Sequence, residues 1–169
     1  MSNDAVIALL QRIPIFARLN PLQIAEIAQR AEKVKFRSRE CITEAGASGD
    51  AAYLLVSGAA ERLAAPEQPL PPGSLIGELA MLVEHNYGAT IVAKGRVHCL
   101  KITRSALHEQ MLADPSLAEL LSQHISERLR KAANGLMRID HLLAKSEAAS
   151  TRRAAYVAVQ PAERRLRVQ

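Results

Sequence analysis

Apolar positions fall into three textures along the chain. At the start they recur at helical spacing. Ser2 or Asn3 can cap a first segment, Ala5–Leu10, which Pro14 interrupts. Asn20-Pro21 then opens a second amphipathic run, Pro21–Ala31, with Leu22, Ile24, Ile27 and Ala28 on its apolar side. Proline at a first helical position is harmless, because its missing N–H would have had no partner there. From Val34 the runs shorten and glycine and proline punctuate them: Val34–Ile42, Ala52–Val56, Ala59–Ala64, a turn through Pro66–Ser74, Thr90–Lys94 and His98–Ile102. Many short strands separated in this way predict an antiparallel sandwich or barrel. Helical spacing returns in Ser105–Ala113, and after Asp114 a longer helix starts at Pro115.

Along that last helix Ala118, Ser122, Ile125, Leu129, Ala132, Leu136, Ile139 and Leu143 alternate spacings of four and three. A 3.5-residue period is what lets two helices supercoil. A second stripe, Leu117, Leu120, Leu121 and His124, lies off the seam and is placed to pack on the barrel. An amphipathic helix docked on its own domain needs only one such face. The two stripes together therefore predict a homodimer through 118–143, although Gly135 and the polar Ser122 weaken the seam. His124 reads as a packing residue, since no cysteine, histidine or carboxylate is spaced with it for a metal.

Composition narrows the function classes. The chain has 169 residues, of which 49% are hydrophobic and 23% charged, an ordinary globular balance. The net charge of +5 suggests nucleic acid until it is located. Residues 144–169 hold six basic side chains against two acidic ones, so the body, residues 1–143, is nearly neutral. The charge sits in an appendage, expected to be flexible or partner-dependent, and not in a groove. Phe16, Phe36, Tyr53, Tyr87 and Tyr156 are the full aromatic set, too few for a base-stacking platform. Two cysteines, Cys41 and Cys99, in apolar strand-like settings read as small buried thiols of a reducing cytoplasm. No leader pattern and no long apolar stretch is visible, so neither secretion nor a membrane span is expected. No nucleophile, base and orienting group stand together, and no metal spacing occurs, so no catalysis is expected.

The informative stretch runs Pro71-Pro72-Gly73-Ser74-Leu75-Ile76-Gly77-Glu78-Leu79-Ala80-Met81-Leu82, followed by Tyr87-Gly88-Ala89-Thr90. Glycines ahead of a short apolar turn bare backbone N–H groups, which attract phosphate, and Glu78 beside them can accept from a sugar hydroxyl. Alone, such a turn is a weak signal. Upstream, however, Glu44 to Gly58 gives a strand end, a Gly-rich turn with Asp50, a second strand (Ala52–Val56) and a glycine at a reversal. In this order and spacing, residues 9–140 resemble the cyclic-nucleotide-binding domain family of catabolite-activator-like regulators, gated channels and kinase regulatory subunits.

The resemblance implies a mainly β fold: an antiparallel, eight-stranded β-roll or jelly roll with N-terminal helices and a long C-terminal helix. It implies that Ile76, Gly77, Glu78, Leu79 and Ala80 open a phosphate-binding cassette that Gly88, Ala89 and Thr90 close. Backbone amides would hold a cyclic phosphate, Glu78 a ribose hydroxyl, and the long helix would act as a lid. One position departs from the family. Where it places an arginine whose fork pairs with the phosphate, this chain has Tyr87, and no Lys or Arg stands between Glu78 and Lys94. His85 is the nearby titratable side chain. A further departure is that only 26 residues follow Leu143, with no helix-turn-helix pattern, so sequence-specific DNA binding is not expected. The expectation is a non-catalytic sensor module with a cyclic nucleotide as ligand and no other cofactor. A ligand-free scaffold that uses its helix and basic tail to bind an unidentified protein is the competing reading.

Overall fold

A computed structural model describes residues 3–127, 129–131 and 133–139. The tail, 144–169, and the seam residues Ala132 and Leu143 lie outside them. The chain divides into two compact units, residues 1–123 and 124–169. The first contains two helices, α1 (Asn3–Gln11) and α2 (Pro21–Arg30), and then eight strands. These are β1 (Glu32–Phe36), β2 (Cys41–Thr43), β3 (Ser48–Gly49), β4 (Ala51–Arg62), β5 (Ala65–Leu70), β6 (Leu75–Ile76), β7 (His85–Asn86) and β8 (Ile91–Thr103). Helix α3 (Arg104–Ala113) follows, and residues 115–123 begin a further helix, α4. The second unit continues helical over 124–127, 129–131 and 133–139.

All pairings are antiparallel, as the sequence predicts. One sheet runs β1-β8-β4-β5, with β2 also on β8 and β6 also on β4, while β3 and β7 form a separate ribbon. The central pair β4 and β8 is covered on both faces. On one side Leu55, Ile76, Val97 and Cys99 fill the interior of the roll, whereas Cys41, expected to be buried like Cys99, is exposed at the start of β2. On the other, Ala52, Leu54, Leu100 and Ile102 pack against Leu10, Phe16, Ile24, Ile27 and Leu107 from the helical segments. A strand buried on both faces reads as a continuous apolar run, which is why β4 shows no clean alternation. Of the predicted packing stripe, Leu117 and Leu121 are fully buried and Leu120 packs beside them, while His124 belongs to the second unit.

Four predicted boundaries need correction. Val34–Ile42 is two strands, because Arg39 turns the chain with a left-handed φ of 67°. Ala52–Val56 and Ala59–Ala64 are one strand, β4, which absorbs register shifts around Ser57. Thr90–Lys94 and His98–Ile102 likewise join in β8. The turn expected over Pro66–Ser74 is mostly strand β5, and its two prolines are tolerated because β5 lies at a sheet edge.

Polar side chains fix the helices. Asn20 caps α2 through a reciprocal box: its side chain accepts from the Gln23 amide at 2.9 Å, and Gln23 Oε1 accepts from the Asn20 amide at 3.0 Å. Buried Gln23 donates through Nε2 to Asp114 Oδ2 (2.6 Å) and Ser116 Oγ (3.0 Å), tying α2 to the start of α4. The bond from Gln23, and after it the Ser116 hydroxyl donating to Asp114 Oδ1 (2.6 Å), hold the Asp114 carboxyl below the usual carboxylate range.

Candidate functional site

Strand β6 leads into the glycine-rich loop. Ile76 is buried in the roll interior opposite Tyr53. Gly77 then takes φ of +75°, a conformation that a Cβ disfavours. Tight turns follow: Ala80 N donates to Gly77 O (2.9 Å), and Leu82 and Val83 both donate to Leu79 O (3.0 and 2.9 Å). Ala80 and Met81 are buried, Leu79 is exposed and Glu78 is half-buried. The loop anchors on its own hydrophobic side chains and keeps 77–79 near the surface.

The closing segment is pinned from its other side. Tyr87 N donates to Ala47 O at 2.9 Å, and Tyr87 O accepts from Gly46 N at 2.8 Å. Thr43 Oγ1 donates to Ala89 O (3.1 Å), while Thr90 Oγ1 accepts from Ala45 N (3.0 Å). Gly88 faces open space, since a Cβ there would meet nothing within 4 Å. No hydrogen bond among the described residues takes the amides of Leu79, Gly88 or Ala89. Three backbone donors are thereby left to the loop, from the two segments that the sequence singled out.

Tyr87 is turned inward. Its hydroxyl donates to Ala51 O at 2.9 Å, and its ring lies against two glycines. A Cβ on Gly77 would stand 2.7 Å from Tyr87 Cε1 and 3.0 Å from Ala51 O. A Cβ on Gly49 would stand 2.5 Å from Ala80 Cβ, 2.9 Å from His85 O and 3.0 Å from Tyr87 Cζ. The ring is therefore wedged between strand β3 and the loop, and its only proton is already donated. Beside it, burial and then the neighbouring Tyr87 push the Tyr53 hydroxyl up to about 12. His85 is exposed in β7, paired with Gly49.

Three residues that the sequence did not single out complete the arrangement. Gly49 and Ala51 receive the Tyr87 ring and hydroxyl. Arg104, at the β8–α3 junction, donates through Nη1 to Val83 O (3.0 Å) and Gly49 O (3.3 Å), clasping the far end of the loop. Its own amide donates to Asp50 O at 2.7 Å. No local pattern marks these roles, which arise only when distant strands meet. Among the described residues no group of three or more His, Cys, Asp or Glu side chains is placed to hold a metal.

An antiparallel roll with a glycine-framed loop presenting amides is the architecture of a small-ligand regulatory domain. Residues 33–114 match the family model of the cyclic nucleotide-binding domain. Among similar proteins is a cAMP-dependent protein kinase regulatory subunit of Aspergillus fumigatus, 36% identical over 57% of this chain and 24% of that protein. A cyclic nucleotide-gated potassium channel of Mesorhizobium japonicum is 25% identical over 75% of this chain and 36% of its own length. The chain thus spans about a quarter to a third of these relatives. Among solved structures, the N-terminal domain of a transcriptional regulator from Streptomyces coelicolor A3(2) superposes with a TM-score of 0.69 and 26% identity. That superposition covers 76% of this chain and 94% of that one. No described helix is long and apolar enough to cross a membrane.

Proposed function

We propose that the roll is a non-catalytic regulatory module that takes a cyclic-nucleotide-class ligand at the 76–80 and 87–90 loops, holding its phosphate by backbone amides alone. The observation that carries this reading is the pair of segments keeping the Leu79, Gly88 and Ala89 amides unpaired, while Tyr87 occupies the arginine position with its proton given to Ala51 O. Glu78 is the acceptor for a ribose hydroxyl. A charge-assisted bidentate contact is missing, and hydrogen bonds to a charged group contribute about 1.5–3 kcal/mol. Affinity for ordinary cyclic AMP is then lower than an arginine-bearing site would give, by roughly ten- to a hundredfold.

Signal leaves through the long helix, which Leu117 and Leu121 anchor to the roll. A ligand biases that helix only by its differential affinity for two placements. Dimerisation through 118–143 is part of the reading, supported by the exposure of the seam residues Leu129, Leu136 and Ile139. Two cysteines without a disulfide agree with a cytoplasmic setting.

Calorimetric titration with cyclic AMP, cyclic GMP and cyclic dinucleotides tests the site, in the native chain and in Tyr87→Arg. Weak binding that the substitution tightens supports the proposal. Silence in the native chain with binding created by Tyr87→Arg favours the ligand-free scaffold, the reading that the wedged Tyr87 ring supports. Silence in both removes the nucleotide altogether.

A further inference from the structure

Strand β1 is an edge of the main sheet, and its residues alternate between two destinations. Val34 and Phe36 pack into the roll interior. Lys33 and Lys35 therefore face the opposite side, opposite Leu100 and His98 of β8, and Arg37 continues the same row. Two cavities open along this outer face and share Lys35. One, of about 740 Å³, is lined by Lys35, Arg37 and Arg96 among others. The other, of about 460 Å³, runs from Lys33 and His98 onto an apolar floor of Val6, Val56 and Leu100.

The cations of this groove make no ion pair with a described carboxylate. Elsewhere on the surface Lys94 lies 3.8 Å from Glu61, Lys101 3.6 Å from Asp50, and Arg30 3.5 Å from Glu109. Lys33, Lys35, Arg37 and Arg96 have no carboxylate partner among the described residues. The carboxylate lining the groove, Glu40, is engaged with the Arg37 amide at 2.6 Å. Lysines on an edge strand commonly prevent edge-to-edge pairing, which accounts for Lys33 and Lys35. It does not account for Arg96 on the neighbouring strand or for the half-buried Val56 in the cavity that Lys33 and Lys35 line.

We infer that this groove docks an acidic, extended segment of a different protein, carboxylates against the cation row and one apolar side chain against the half-buried Val56. Charge excludes the nearer occupants. The chain's own tail, 144–169, is basic. A second copy laying β1 against β1 would set lysine against lysine. A nucleic-acid backbone matches the cations but offers no apolar side chain for Val56.

The test uses the full chain and a short fluorescein-labelled peptide of glutamates and aspartates around a central leucine. Duplex DNA and a lysine peptide of equal length serve as comparisons. Anisotropy should show salt-sensitive binding of the acidic peptide, weakened about tenfold or more in Lys33→Glu/Lys35→Glu and less when serine replaces the leucine. The charge-reversed variant should bind the lysine peptide instead, a gain that a misfolded protein cannot give. The inference is overturned if the acidic peptide does not bind, if Lys101→Glu weakens it equally, or if DNA binds more tightly and depends on the same lysines.

Discussion

Replacing Gly77 by alanine strikes the loop at the point where three constraints meet. The residue holds φ of +75°, and a left-handed backbone costs a residue with a Cβ roughly 1–2 kcal/mol. The added methyl would also stand 2.7 Å from Tyr87 Cε1. The ring cannot swing away freely, because its hydroxyl is bound to Ala51 O and its other edge lies against Gly49. Forcing such an overpacked contact typically costs about 1–3 kcal/mol, so Gly77→Ala should destabilise the roll by about 2–5 kcal/mol. For a chain of this length that lowers the melting temperature by roughly 5–15 °C. The two contributions separate in a cycle with Tyr87→Ala. Without the ring, the substitution at 77 should cost only the backbone part, leaving a coupling of about 1–3 kcal/mol between the sites. Urea denaturation of the four proteins, followed by circular dichroism, measures this directly. A penalty at 77 that is the same in both backgrounds to within about 0.5 kcal/mol would refute the wedge.

Other consequences can be measured in the same protein. Because hydrogen bonds from Gln23 and Ser116 depress the folded-state pKa of Asp114, its contribution is present above the unfolded value and is lost as pH falls through the folded one. Asp114→Asn should therefore flatten the loss of stability on acidification below about pH 4, and an unchanged acid limb in urea titrations from pH 5 to 2 would contradict this. Arg104→Ala frees the Val83 and Gly49 carbonyls from their clasp, so hydrogen exchange should rise over 80–87 while residues 21–30 stay protected; a uniform rise would mean global destabilisation instead. Burial pushes the Cys99 thiol up to about 12, so a thiol reagent at pH 8 should label Cys41 alone in the native protein and both cysteines in denaturant.

The order of helices and strands was legible because glycine and proline punctuate it and because Asn20-Pro21 and Asp114-Pro115 are helix starts with a mechanism. Boundaries were less legible where the cause was distant. Arg39 adopts a left-handed turn that glycine would have announced, and its amide is instead satisfied by Ala93 O across the sheet at 2.8 Å. The two apolar runs on either side of Ser57 merge into one strand because β8 runs alongside both of them, and no window of β4 shows its partner. Both candidate segments, 76–80 and 87–90, were singled out by their residue types, yet the direction of Tyr87 was not legible. A tyrosine after a polar pair reads equally well as a solvent-facing ring.

That direction changes what the absent arginine means. Had Tyr87 pointed outward over Gly88, the position would be one where a charged side chain was lost and nothing took its place. Instead the ring requires Gly49 to lack a Cβ, Gly77 to lack one as well, and Ala51 to offer its carbonyl at 2.9 Å. Three positions, on β3, on β4 and in the loop after β6, thus accommodate a single tyrosine. An arginine at 87 in the same rotamer would carry its charge into the space beside Tyr53, where burial already raises the hydroxyl pKa and a guanidinium would have to be desolvated. To serve a phosphate, that side chain would have to leave by another path and abandon the glycine slot. The slot and the phosphate contact are therefore alternatives for one side chain. This chain is built around the slot, so on the proposed reading an anion at the loop would be met by backbone amides.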